Sequence, residues 1–94
     1  MDVVGREVIE KFKRSHPDAR GQVDAWLLEV EAARWETLNA VTARYPTASI
    51  LSEGRVVFNL KGNKYRLLVR VACRLGKVIV LKAAPHAEYD RWNL

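Results

Sequence analysis

Hydrophobic positions in the first half of the chain recur every three or four residues. This spacing predicts an amphipathic helix over residues 6–15, closed by His16-Pro17 because the residue before a proline avoids the α-helical region. The same spacing predicts a second helix from Ala19 to Ala33 and a short third helix from Thr37 to Arg44. The first half is therefore predicted to be helical.

From residue 49 the pattern changes to alternation of apolar and polar residues, which is typical of β-strands. The predicted strands are residues 49–51, 55–60, 64–73 and 78–83, with a further strand at Asp2–Val4. Short glycine-containing turns join the later strands, so they are predicted to pair as antiparallel neighbours. The expected fold is α+β, with N-terminal helices packed on one face of a small antiparallel sheet.

Alternation also assigns the side chains of residues 64–73 to two faces. One face is apolar and is expected to meet the helices: Tyr65, Leu67, Val69, Val71 and Cys73. The other face is expected to present Lys64, Arg66 and Arg70 in a row, with Lys61 at the preceding turn, and Lys64 and Arg66 are expected to be exposed.

Length and composition limit what the protein can be. The chain has 94 residues, of which 49% are hydrophobic and 29% charged, and is expected to form one domain over residues 1–94. A single cysteine, Cys73, excludes a disulfide scaffold and is expected to lie in the core. No apolar run reaches the length of a membrane span or a signal peptide, so we expect a cytoplasmic protein without a membrane partner.

Positive charge is concentrated in the second half of the chain. The net charge is +5, and residues 55–82 contain no Asp or Glu. The cations of this stretch are Arg55, Lys61, Lys64, Arg66, Arg70, Arg74, Lys77 and Lys82. Such clustering favours a polyanionic partner, RNA or DNA, although a solvated basic surface remains the alternative.

Few residues suggest chemistry. The two histidines and Cys73 do not have the spacing of metal ligands, and no phosphate-binding loop is present, so no metal and no cofactor is predicted. His86 follows the last strand and has Tyr89 and Asp90 nearby. A histidine beside a basic surface can supply the proton transfers of RNA cleavage, although such a residue can also be structural. Trp92 is predicted either to pack against the sheet or to stack on a base.

Two strings in the chain resemble HigB-type toxins of the RelE-like superfamily. They are RVVFNLKGNKYRL at residues 55–67 and HAEYD at residues 86–90. The resemblance implies the RelE-like fold and an mRNA interferase that cuts mRNA in the ribosomal A site. It also implies neutralisation by a HigA-type antitoxin with a helix-turn-helix domain, so that operator DNA is bound only through the antitoxin.

The resemblance, together with the basic stretch, gives two sets of candidate residues. The candidate catalytic residues are His86, Tyr89, Lys64 and Arg66. The candidate RNA-binding residues are Lys61, Arg70, Arg55, Lys82 and Asp90. Asp90 is also expected to orient the site or to hold the C-terminal segment.

The chain departs from the family pattern in and just after the last strand. It reads Leu81-Lys82 where relatives have an arginine followed by an aromatic residue, and Ala84-Pro85 where they have Gly-Thr. Because neighbouring strand residues face opposite sides, either this strand is shifted by one residue or the active site is altered. An RNA- or ribosome-binding inhibitor without cleavage activity, and a protein-interaction module, are therefore the alternatives to an endoribonuclease.

Overall fold

A computed structural model describes residues 1–92 and 94 of the chain. The helices are α1 (Arg6–Ser15), α2 (Arg20–Ala32), α3 (Leu38–Arg44) and α4 (His86–Tyr89). The strands are β1 (Asp2–Val4), β2 (Ser49–Ile50), β3 (Arg55–Leu60), β4 (Tyr65–Ala72) and β5 (Lys77–Pro85). Single 3₁₀ turns lie at Pro17–Ala19, Ser52–Gly54 and Cys73–Leu75. No helix of the described residues is long and apolar enough to cross a membrane.

The five strands form one sheet in the order β1-β5-β4-β3-β2. Strands β2 to β5 pair antiparallel, as the short turns predict, and β1 pairs parallel to β5. The predicted α+β fold and the strand at Asp2–Val4 are therefore confirmed, and the parallel pair makes the sheet mixed. Strand β5 extends past its predicted end at residue 83. Its last residue, Pro85, lies opposite Tyr65 of β4.

The N-terminal helices cover one face of the sheet. Phe58 of β3 is fully buried there, with its ring centroid 5.4 Å from that of Trp26 on α2 and 5.1 Å from that of Tyr45 after α3. The alternate residues Leu67, Val69 and Val71 of β4 join the same core, as predicted. Burial of this apolar surface is the main stabilising contribution to the fold.

The ends of the helices follow local signals in the sequence. The backbone N–H of His16 donates to the Phe12 carbonyl at 2.9 Å and closes α1, and Pro17 then opens a 3₁₀ turn. Thr37 caps α3, since its hydroxyl accepts a hydrogen bond from the backbone N–H of Ala40 at 3.3 Å. These boundaries match the predicted ones to within two residues.

Strand β5 contains a β-bulge, which changes the face on which its later residues lie. Leu68 of β4 lies opposite Lys82 and Val69 lies opposite Val80, so Leu81 has no partner. Simple alternation from Val80 places Lys82 on the helix side of the sheet. Because of the bulge, Lys82 lies instead on the face opposite the helices. Of the two explanations for the departure from the family pattern, a strand shifted by one residue therefore matches the pairing of β5.

The sheet face opposite the helices is covered as well. Val57, Leu68 and Ala84 lie on this face and are at most 3% exposed, although they are not part of the helix-side core. Residues 86–92 and Leu94 lie over this face. Tyr89 contacts Arg66, Trp92 contacts Lys82, and the Leu94 carbonyl accepts a hydrogen bond from Arg55 at 3.2 Å. The prediction that this face presents a row of cations to solvent is therefore wrong.

Candidate functional site

The end of the sheet formed by β4 and β5 brings several of the candidate residues together. Strand β5 ends at Pro85 and α4 begins directly at His86. The backbone N–H of His86 donates to the Lys64 carbonyl at 2.9 Å, which joins α4 to the turn between β3 and β4. The two family-like strings, separated by 18 residues in the chain, therefore meet at this point.

His86 and Asp90 form a pair on one turn of the C-terminal segment. The Nδ1 atom of His86 lies 3.2 Å from a carboxylate oxygen of Asp90, the i,i+4 neighbour, and both side chains are about half exposed. This contact favours a proton on Nδ1, which leaves Nε2 of a neutral imidazole to accept a proton. Asp90 therefore lies close enough to orient the histidine, and its role in orienting the site stays a prediction.

Arg66 is buried, with only 8% of its surface exposed. Its guanidinium carbon lies 5.2 Å from the centroid of the Tyr89 ring, and its Nη1 donates to the Asn63 carbonyl at 3.0 Å. The expectation that Arg66 is exposed was wrong because α4 folds back over this face of the sheet. The contact with Tyr89 fixes both side chains next to His86, whose ring centroid lies 6.1 Å from that of Tyr89.

Lys64 is exposed, as expected, but it does not lie in a row with Arg66 and Arg70. It belongs to the turn before β4, so the alternation of that strand does not set its direction. Its ammonium lies 2.8 Å from Oδ2 of Asp18, and Asp18 also accepts hydrogen bonds from the Tyr65 hydroxyl at 2.7 and 2.9 Å. The hydrogen bonds from Lys64 and then Tyr65 lower the pKa of Asp18 to about 2.

Lys61 lies exposed at the start of the same turn. Its backbone adopts a positive φ of 52°, and its N–H donates to Oε1 of Gln22 on α2 at 2.5 Å. Neither Asp18 nor Gln22 was predicted as a site residue. Their contacts with the turn are not apparent from local sequence, because each joins residues that are about 40 positions or more apart in the chain.

The remaining candidate cations, Arg55, Arg70 and Lys82, share the face opposite the helices but lie farther from His86. Arg55 and Arg70 lie opposite each other, and Arg70 is four residues, or about 13 Å, along β4 from Arg66. Arg70 also lies 3.4 Å from the carboxylate of Glu53. These cations extend the basic surface along the sheet.

Lys82 lies at the edge of this site, where its ammonium is 5.5 Å from the centroid of the Trp92 ring. Trp92 packs edge to face on Tyr89 with a centroid distance of 5.3 Å. The structure therefore favours packing for Trp92 over stacking on a base. A lysine at a position that alternation assigns to the core conflicts with regular alternation, but only the pairing with β4 shows where the bulge lies.

The other residues considered for chemistry have packing roles. The His16 ring packs between the rings of Phe12 and Tyr65, with a centroid distance of 4.9 Å to each. Cys73 is half-buried and begins a 3₁₀ turn. Within residues 1–92 and 94, no three His, Cys, Asp or Glu side chains come close enough to hold a metal ion.

A groove of about 420 Å³ adjoins the site between α1 and the second half of β5. Polar and apolar side chains line it, among them Lys11, His16, Leu81, Lys82 and Glu88. Strand β1 pairs with β5 only from Lys77 to Ile79, so within the described residues no strand covers this edge of the second half of β5. Lys11 and Lys82 bring positive charge to the groove, and Glu88 brings one negative charge.

A known protein family matches most of the chain. Residues 19–92 match the model of HigB toxins, described as the RelE-like toxic component of a toxin–antitoxin system. The chain belongs to the HigB toxin family. The match includes α2, the β3–β4 turn and the whole cluster around His86, while β1 and α1 precede it. A search of curated proteins found no significant match.

Membership of the HigB family has two consequences. The protein is the toxic component of a toxin–antitoxin pair, which implies an antitoxin as its partner. The resemblance identified from residues 55–67 and 86–90 is confirmed, and so is the fold that it implies. The roles of the individual side chains remain predictions, which the geometry described above now constrains.

Proposed function

We propose that this HigB-family toxin is an endoribonuclease that cuts mRNA on the ribosome and thereby inhibits translation. The single observation that carries the proposal is the His86–Asp90 pair, which lies beside Tyr89, Arg66 and the backbone of Lys64. An oriented imidazole beside fixed cations is the set of groups that RNA cleavage without a metal requires.

In the proposed mechanism, His86 acts on the ribose next to the cleaved phosphate. Nε2 of His86 takes the proton of the 2′-hydroxyl while Asp90 holds the imidazole through Nδ1. The 2′-oxygen then attacks phosphorus and the bond to the 5′-oxygen breaks, which leaves a 2′,3′-cyclic phosphate. The phenol of Tyr89 gives its proton to the leaving 5′-oxygen. Tyr89 then regains a proton from solvent and His86 releases the one it took, which restores both groups.

Two cations offset the charge that develops on the phosphorus centre. Arg66 is fixed against Tyr89 and offers an always-charged guanidinium at the centre of the site. Lys64 lies at the rim on a flexible side chain, 61% exposed, and can reach a phosphate oxygen there. Removing either cation is expected to slow cleavage, because each acts on the same negative charge.

The outer cations bind the RNA backbone on either side of the cut. Arg55, Arg70 and Lys82 follow the sheet face, and Lys61 extends the basic surface at the β3–β4 turn. Phosphate contacts of this kind position a nucleic acid without reading its sequence. The ribosome then determines which codon reaches His86.

The partners follow from the same proposal. A HigA-type antitoxin with a helix-turn-helix domain neutralises the toxin, and operator DNA is bound only through that antitoxin. The toxin itself binds mRNA in the ribosomal A site. The protein works in the cytoplasm and needs neither a cofactor nor a membrane.

One experiment tests the proposed function directly. Wild-type protein, His86→Ala and the control Glu88→Ala are added to purified translating ribosomes with a defined mRNA, and new 5′ ends are mapped by primer extension. Glu88 is an exposed residue on the same helix, so its substitution controls for changes in α4. We expect codon-phased cuts from the wild type and Glu88→Ala only. Equal cutting by His86→Ala would contradict the role of His86.

A second candidate function is translation inhibition by binding alone. It is favoured by the burial of Arg66 beneath Tyr89 and by the pairing of Lys64 with Asp18, since both contacts occupy cations that cleavage requires. In the same experiment this function gives arrested translation without new 5′ ends. Absence of both arrest and cuts would leave a protein-interaction role.

A further inference from the structure

Asp18 stands directly in front of the β3–β4 turn although it comes from the other end of the chain. It lies in the 3₁₀ turn between α1 and α2, where the next residue, Ala19, is completely buried and anchors the turn in the core. The Asp18 side chain points outward from this anchor. Its two oxygens lie 2.7 and 2.9 Å from the Tyr65 hydroxyl, and one lies 2.8 Å from the Lys64 ammonium.

A lysine and a hydroxyl around one anion are also the donors with which proteins hold nucleic-acid phosphates. We propose that Asp18 is a positioning residue that occupies, in the free toxin, the place of an RNA phosphate on Lys64. RNA must then draw the Lys64 ammonium away from the carboxylate before Lys64 can bind a phosphate. This inference rests on the proposed function, because it assigns RNA as the ligand of Lys64.

The geometry allows this exchange to take place without a change in the fold. The side chains of Lys64 and Asp18 are 61% and 40% exposed, so the ion pair is weak and readily replaced. The flexible stem of Lys64 lets the ammonium move, whereas Tyr65 contacts both oxygens of Asp18 and keeps the carboxylate in place. With a pKa of about 2, Asp18 stays charged and competes throughout the physiological pH range.

A second contact shows that the helical layer sets the position of this turn. Gln22, one helical turn after Asp18, accepts the backbone N–H of Lys61 at 2.5 Å. The turn is therefore held at both ends, through the backbone at Lys61 and through the side chain at Lys64. Only the contact at Lys64 uses a cation, and only that contact competes with RNA.

The test is a double-mutant cycle measured by RNA binding. The affinity of a fluorescein-labelled single-stranded RNA is measured by anisotropy at low salt for wild type, Asp18→Asn, Lys64→Met and the double variant. Asparagine can still accept the Tyr65 hydroxyl but carries no charge. Asp24→Asn is the charge-matched control, because Asp24 of α2 also pairs with a lysine, Lys13 of α1, at 2.7 Å.

We expect Asp18→Asn to bind RNA more tightly than wild type, by up to about fivefold, since an exposed ion pair sets the cost of displacement. Asp24→Asn changes the net charge equally and should give a smaller gain. In the Lys64→Met background, Asp18→Asn should give no more than the gain seen for Asp24→Asn.

Two results would overturn the inference alone. One is an equal gain in RNA affinity for Asp18→Asn and Asp24→Asn, and the other is weaker RNA binding by Asp18→Asn. Both apply to a protein whose RNA binding still depends on Lys64. If wild type and Lys64→Met bind RNA equally, or neither binds, the RNA interface of the proposed function fails as well. The two failures are therefore distinguished by the Lys64→Met variant.

Discussion

Gly5 is the residue whose substitution tests the placement of β5 most sharply. It joins β1 to α1 with a φ of +88°, and a Cβ atom at this position would lie 2.6 Å from the backbone oxygen of Val80. The left-handed conformation costs a non-glycine residue about 1–2 kcal/mol, and relieving a clash in a packed region costs about 1–3 kcal/mol more. Gly5→Ala is therefore expected to lower the free energy of unfolding by about 2–5 kcal/mol.

The loss is measurable by urea denaturation followed by circular dichroism. With a slope of about 1.5 kcal/mol/M, the midpoint falls by about 1.3–3.3 M urea. Gly21→Ala is the control, since Gly21 lies in α2 with no atom near its added Cβ, and this variant should be more stable by about 0.5–1 kcal/mol. A Gly5→Ala protein as stable as the wild type would show that β5 does not pass Gly5 as described.

The remaining predictions concern the site. Lys64→Ala should slow mRNA cleavage and lower Tm only slightly, since it removes an exposed ion pair with Asp18. Arg66→Ala should slow cleavage and lower Tm clearly because Arg66 is buried, and an unchanged Tm for Arg66→Ala would contradict its packing role. Asp90→Asn should lower kcat by about tenfold with KM unchanged, since His86 loses its orienting charge. The loss is smaller than the total contribution of general acid–base catalysis, which is about 10²–10⁴-fold. An unchanged kcat would contradict the role of Asp90. Hydrogen bonds, the one from Lys64 first, lower the pKa of Asp18 from 3.8 to about 2. The stabilisation of the fold by charged Asp18 is therefore fully present above pH 3.8 and is lost as the pH falls to about 2. Between pH 3.8 and about 2, Tm should therefore fall less in Asp18→Asn than in wild type. An equal fall would contradict the pairing of Asp18 with Lys64 and Tyr65.

The β3–β4 hairpin was predictable because local chemistry determines it. Alternation fixes which side chains meet the helices, and the glycine in the 61–63 turn fixes where the chain reverses. The relation of His86 to Tyr89 and Asp90 was predictable for the same reason, because the three residues lie within five positions of one another. Interactions that depend on short separations can be read from the sequence.

The contacts that change the candidate site depend on long separations. The bulge at Leu81 moves Lys82 to the other face, and the return of α4 buries Arg66 beneath Tyr89. Asp18 reaches Lys64 across 46 positions of the chain. Tertiary packing determines these contacts, so alternation and charge clustering alone predicted an exposed row of cations that the structure does not contain.

The central claim is that His86 activates a ribose 2′-hydroxyl in mRNA. The most direct measurement maps the cuts that the wild-type toxin makes on translating ribosomes, and then repeats the reaction with an mRNA carrying a single 2′-deoxynucleotide at one mapped site. We expect that this site is no longer cut, while the unmodified sites are cut as before. Cutting at the deoxy site at the original rate would show that water attacks the phosphate, and would contradict the role proposed for His86.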